Sequence, residues 1–179
     1  MSEREIMKKT LPILLILIFF TTSCDRRGPD QLLEDAEVYI TQNKIDEAIK
    51  DLEKFVKKYP DHEKAIKTSY RIAELHMNKR QDLNAAIISF KKAADKYPNS
   101  DIGPKACFMA GFLLANNTDR LDEAKSTYEK FLKNYPDHEL KIAVEFELEN
   151  LGKPLDNIPQ LKPILEDNEN LRDNRSLGK

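Results

Sequence analysis

The sequence predicts an all-α fold: an α-solenoid of three helical hairpins with a 38-residue period, closed by a C-terminal capping helix. Three observations predict it. A Tyr-Pro pair recurs in "KYPDH", "KYPNS" and "NYPDH", which places Pro60, Pro98 and Pro136 at equal steps of 38 residues. Ala48, Ala86 and Ala124 repeat at the same step, each twelve residues before its proline. The composition leans towards Ala, Leu, Lys and Glu, with only 5 glycines and no Trp. That scarcity of glycine argues against phosphate-cradling loops and against a turn-rich β sandwich. The net charge of −2, with both signs mixed along the chain, gives no sign of a nucleic-acid partner.

The N-terminus is a separate object. Lys8 and Lys9 precede an apolar stretch over residues 11–20, and small polar residues then lead to Cys24. This is the order of a secretory signal peptide, assigned here to residues 1–23. Its apolar run is about half the ~20 residues that a membrane-spanning helix needs. The opening "MSEREI" is acidic and untypical of such a leader, which makes Met7 an alternative start. The residues "TTSC" resemble a bacterial lipobox, with Thr21 where that pattern usually has Leu. The resemblance implies that Cys24 becomes the lipidated first residue of the mature protein. A diacylated and N-acylated cysteine carries more than one chain, enough for stable anchoring. Residues 24–29, with Gly28 and Pro29, then form a short tether. Cys107, left without a partner for an intramolecular disulfide, lies in the apolar run "KACFMAGFLLA" and reads as a small buried residue.

The repeats fall at about residues 30–60, 63–98 and 101–136. Each starts with a helical stretch, over residues 30–42, 63–78 and 103–117, holding a small residue near its middle: Ala36, Ala73 or Gly111. A small residue there lets a neighbouring helix approach closely. After a short polar turn comes a second helix. Ala48, Ala86 and Ala124 are followed four residues later by Leu52, Phe90 and Tyr128, and seven later by Phe55, Ala93 and Phe131. That spacing is one face of an α-helix, and the proline ends it. These alanines and large apolar residues, with the three small residues and Pro60, Pro98 and Pro136, make up the expected repeat core. "HELKIAVEFELENLG", residues 138–152, stops at Gly with Pro154 behind and reads as the cap, because an array cannot leave its last apolar face bare. The helical domain is thus residues 30–152. Residues 153–179 carry three prolines and many Asn and Asp, and are expected to be mostly disordered, with "LKPIL" as the segment able to dock.

This order of small residue, alanine, large apolar residue and proline resembles the tetratricopeptide repeat. That repeat is about 34 residues long. The surplus here lies in the junctions between repeats and in the second and third hairpin turns. The resemblance implies a concave face lined by the first helices, where such proteins take up peptides or protein partners through aromatic anchors and polar rims. On that register the groove positions are Leu33, Glu37 and Ile40, then Tyr70, Glu74 and Met77, then Phe108, Phe112 and Asn116. An aromatic stripe at helical spacing also fits a buried core. The lipobox, the Tyr-Pro junctions, and the phrases "RIAELH" and "AKSTYEKFLKNYPDH" resemble the envelope tetratricopeptide lipoproteins. Among them are the BamD-like component of outer-membrane β-barrel assembly and the periplasmic cell-division coordinators. The barrel-assembly component usually carries five repeats, against three plus a cap here. The resemblance implies a lipid-anchored protein facing the periplasm from the outer membrane. Asp25, directly after the cysteine, keeps the inner membrane as the alternative.

Catalytic signatures are missing. His62 and His138 occupy equivalent repeat positions, so duplication explains them, and His76 stands alone. No HExxH, CxxC or Walker pattern occurs, and no nucleophile has a partnered base. The expectation is a non-catalytic interaction scaffold with no cofactor and no metal. The alternative is a lipid- or small-ligand-handling protein, or an accessory subunit of an envelope enzyme, with a cavity lined by Met77, Phe108 and Phe112.

Overall fold

The computed structural model describes residues 26–160 and residue 163. The segment read as a signal peptide, Cys24 and most of the C-terminal tail therefore lie outside the described residues. Seven α-helices follow in order: α1 (Pro29–Thr41), α2 (Ile45–Lys58), α3 (Ala65–Asn78), α4 (Leu83–Lys96), α5 (Ile102–Asn117), α6 (Leu121–Asn134) and α7 (Lys141–Glu149). No strand occurs among the described residues. The helices pack as three hairpins, α1 on α2, α3 on α4 and α5 on α6, stacked in chain order, with α7 laid on α6. The fold is thus the all-α array of three hairpins and a capping helix.

The second helices end at Lys58, Lys96 and Asn134, two residues before each proline. Proline disfavours the helical region for the residue before it. Tyr59, Tyr97 and Tyr135 accordingly take φ near −130° and ψ between 52° and 59°. Each still donates its backbone N–H to the last turn, to Phe55, Ala93 or Phe131. One correction follows: Pro60, Pro98 and Pro136 are exposed and belong to no core. They act on the backbone, by forcing the tyrosine out of the helix.

The residue two after each proline starts the next helix. His62 Nδ1 accepts the N–H of Lys64 at 3.2 Å, and His138 Nδ1 accepts that of Leu140 at 3.1 Å. Ser100, at the same repeat position, accepts from Ile102 and Gly103 through its hydroxyl oxygen at 3.3 and 3.1 Å. Each supplies an acceptor for helix-start N–H groups that have no partner within the helix. Both imidazoles also stand edge-on to a core phenylalanine, His62 on Phe55 and His138 on Phe131.

Between paired helices, Ala36, Ala48, Ala73, Ala86 and Ala124 are fully buried, as are Phe90 and Tyr128, and Leu52 nearly so. A Cβ built on Gly111 would lie 2.6 Å from the Tyr128 ring, so α5 and α6 approach at a distance that only glycine allows. α3 also touches α5 directly. In a stacked array of helical hairpins the first helices line the inside of the curve and the second helices its outside.

The two ends are closed differently. Arg27, in the segment read as a tether, reaches back to Asp51 of α2 at 2.5 and 2.7 Å and to Asp35 of α1 at 2.6 Å. Its carbonyl accepts from Lys58 and Tyr59, both at 3.1 Å. At the other end α7 buries Val144 completely. The chain turns at Gly152 (φ 74°) beside Leu121, forms a 3-10 turn over Leu155–Asn157, and buries Ile158. That turn lies in the segment expected to be mostly disordered.

Candidate functional site

The first-helix face carries the nine groove positions as six half-buried apolar or aromatic residues flanked by three exposed polar ones. Leu33 and Ile40 are half-buried on the first-repeat core. Glu37 is exposed and paired with Arg71 of α3, whose Nη2 donates to Oε2 at 2.8 Å. Tyr70 is half-buried with its ring edge-on to Phe90 at 5.0 Å. Burial, and then the carboxylate of Glu74, push its phenol above the ordinary range. Met77 and Phe108 rest one side on the main core, which spans the second and third repeats and the cap. Phe112 lies one turn beyond Phe108, half-buried, with ring centres 6.1 Å apart. Glu74 and Asn116 are exposed on the rim. Asn116 donates to the carbonyl of Phe112 at 3.1 Å and to Glu147 of α7 at 3.4 Å.

The structure thus brings Phe108 and Phe112 together, and gathers Leu33, Glu37 and Arg71 around a cavity of about 470 Å³ between α1 and α3. It seats Tyr70 against Phe90. The arrangement offers apolar surface beside carboxylates and amides. Among the described residues no cluster of His, Cys, Asp and Glu could hold a metal ion, and no helix is long and apolar enough to cross a membrane.

The outer face holds a feature that the sequence reading missed. α2 and α4 wall a trough of about 860 Å³ whose floor is Ser69 and Ile72 of α3. α4 and α6 wall its counterpart, floored by Cys107 and Ala110 of α5, with only about 210 Å³. Every residue that lines the narrow trough has its counterpart in the wide one at the 38-residue step, so aligning the repeats is the signal that finds the pair. Cys107 is the buried residue expected. Desolvation foremost raises its thiol to about 11, so it carries no thiolate at neutral pH.

The tetratricopeptide repeat family model matches residues 36–62, 67–100 and 106–138. Among solved structures the chain is similar to that of MamA AMB-1, at 22% identity and a TM-score of 0.50, covering 82% of this chain and 76% of that one. At that identity the likeness concerns the fold alone. No curated protein matches the chain.

Proposed function

This chain belongs to the tetratricopeptide repeat family, and from that premise we propose that it is a non-catalytic scaffold whose first-helix face binds protein segments. The observation that carries this reading is the half-buried band of Tyr70, Met77, Phe108 and Phe112 beside the exposed Glu37, Glu74 and Asn116. Aromatic side chains that expose one side next to a polar rim are the usual energetic centre of a protein contact.

The proposal places the scaffold on a bacterial membrane, lipidated at Cys24 and facing the periplasm. The resemblance of its leader and junctions to envelope lipoproteins supports the outer membrane, with a role in outer-membrane protein assembly or in coordinating the envelope during division. The docking of Arg27 bears on how such an anchor would work. Only Asp25 and Arg26 separate Cys24 from that fixed residue. Three residue steps reach at most about 10 Å. A lipid on Cys24 would hold the first repeat close to the membrane surface, with no long leash. The lipid-handling alternative expected a cavity lined by Met77, Phe108 and Phe112, and none of the three cavities above includes them.

The test is Phe112→Ala in the full chain, with capture of crosslinked partners from the organism's own envelope. The variant should melt close to wild type and lose its partners. Normal folding with every partner retained would overturn the first-helix reading. Cys24→Ala, fractionated in parallel, should release the chain from the membrane; unchanged retention and processing would overturn the anchor.

A further inference from the structure

The two outer troughs differ in their charges. Where the narrow one has Lys91, Asp95 and Glu123, the wide one has Glu53, Lys57 and Ala85, and Lys91, Asp95 and Lys96 also border it, which leaves lysines in the majority. In the narrow one, Lys130 of α6 reaches across to Asp95 of α4 at 2.5 Å, and Lys91 reaches Glu123 at 3.3 Å. These ion pairs strap α4 to α6. One repeat earlier, the positions of Asp95 and Lys130 are held by Lys57 of α2 and Lys92 of α4. Two lysines cannot pair, and the counterpart of Glu123 is Ala85. The ion-pair strap is therefore missing where the trough is wide; α4 is tied to α2 there by Lys96, whose Nζ donates to the Val56 carbonyl at 3.0 Å. Neither Lys57 nor Lys92 has a hydrogen-bond or ion-pair partner among the described residues, and both are exposed. The wall also changes: where the narrow trough has Ser126, the wide one has Ile88, a large apolar side chain 57% exposed.

We propose that the trough between α2 and α4 is a second docking site, which takes a partner's polypeptide segment carrying apolar side chains flanked by carboxylates. Ile72 in the floor, with Val56 and Ile88 on the walls, provides a place for the apolar side chains. Lys57 and Lys92 stand on opposite lips, where carboxylates of the inserted segment would complete the strap that Asp95 supplies one repeat later. The occupant is a polypeptide because the trough runs between two repeat-related helices, each 14 residues long. An amphipathic segment laid along such a groove is an established mode of peptide recognition. The site lies on the opposite face from the band that contains Phe112, and the inference stands independently of the function proposed for that band.

The experiment uses the full chain in detergent and two pools of synthetic 14-residue peptides. Both pools carry Leu or Ile at helical spacing; one is flanked by Glu and Asp, the other by Lys and Arg. The acidic pool should bind and the basic pool should not. Lys57→Asp recreates the Asp–Lys pair of the narrow trough, and should fold normally while weakening the acidic peptides by about tenfold or more, the scale of a lost charge-assisted contact. Ile88→Ser should weaken them as well, whereas Lys57→Arg and Phe112→Ala should leave them unchanged. Equal binding of the two pools would overturn the proposal, as would binding indifferent to both Lys57→Asp and Ile88→Ser. Displacement of the acidic peptides by anionic vesicles but not by neutral ones, from wild type and Lys57→Arg alike, would make the trough a lipid-headgroup surface, and would also overturn it.

Discussion

The first repeat fills the slot between its helices with Ala36 and Leu52, the second with Ala73 and Phe90, and the third with Gly111 and Tyr128. The small partner shrinks only where the large one is bulkiest. The first and third repeats also close the array in opposite ways. Beyond the first, Arg27 joins two carboxylates, one of them, Asp51, almost fully buried. Beyond the third, α7 lays Val144 on the core and the following turn buries Ile158. The interior of such an array is thus set by matched volume, and each end by whatever chemistry its flanking chain brings. Volume can be redistributed within a slot at little cost, but a buried carboxylate needs its own cation.

The largest effect that would break this comparison is at the polar end. Arg27→Ala leaves Asp51 buried with, among the described residues, only the cation of Lys54 beside it, 3.5 Å away. Breaking a buried pair by removing one partner should cost about 3 kcal/mol in denaturant unfolding. Joint replacement by Arg27→Met and Asp51→Leu should recover most of that loss, because the uncompensated charge has gone. If Arg27→Ala unfolds like wild type, the first repeat is closed by something other than charge and the contrast between the ends fails.

A smaller effect sharpens the slot comparison. Gly111→Ala pushes a Cβ into the Tyr128 ring, which is fully buried and has no room to yield. Overpacking of this kind should cost about 1–3 kcal/mol. Adding Tyr128→Leu gives the third repeat the pair that the first already uses. The double variant should then lose less than the two single changes added together. Strict additivity in the cycle would mean that the two residues do not share a slot.

Much of this was legible in the sequence, and the parts that were not share a cause. The hairpins follow from Pro60, Pro98 and Pro136, because a proline and the residue before it constrain the backbone wherever they stand. The burial of Leu52, Phe90 and Tyr128 follows from helical spacing. The band from Tyr70 to Phe112 could be placed on a face, but not between core and surface, since half-burial depends on how closely α3 and α5 approach. Arg27 was hidden by its neighbours: Gly28 and Pro29 read as a linker, while its partner Asp51 stands 24 residues on. The wide trough was hidden because Lys57 and Lys92 look like ordinary surface lysines until the repeats are superposed. Charge across a groove is a property of pairs, and composition reports only singles.

The smallest effect concerns His76, where the repeats differ once more: the first has Tyr39 at this position and the third has Leu114. The His76 ring is buried, and its Nδ1 has no hydrogen-bond partner among the described residues. Burial first, and then the cation of Arg80, hold its pKa below the ordinary 6.5, while Asp82, Glu53 and Asp46 oppose them more weakly. In the unfolded chain the imidazole takes a proton as pH falls through 6.5; in the folded chain it resists. The unfolded state then binds more protons. The contribution of His76 to stability is therefore full above 6.5 and shrinks as pH drops below it towards the folded value. His76→Leu borrows the residue of the third repeat. It removes a buried polar atom that lacks a partner, so it should raise stability at neutral pH by about 1 kcal/mol. It should also flatten the loss on acidification. Melting of both proteins at pH 7.5 and 5.5 checks this, because the other titrating groups cancel in the difference. Parallel losses in wild type and variant would show that the acid sensitivity arises elsewhere, and that the second repeat tolerates its histidine as easily as its neighbours tolerate Tyr39 and Leu114.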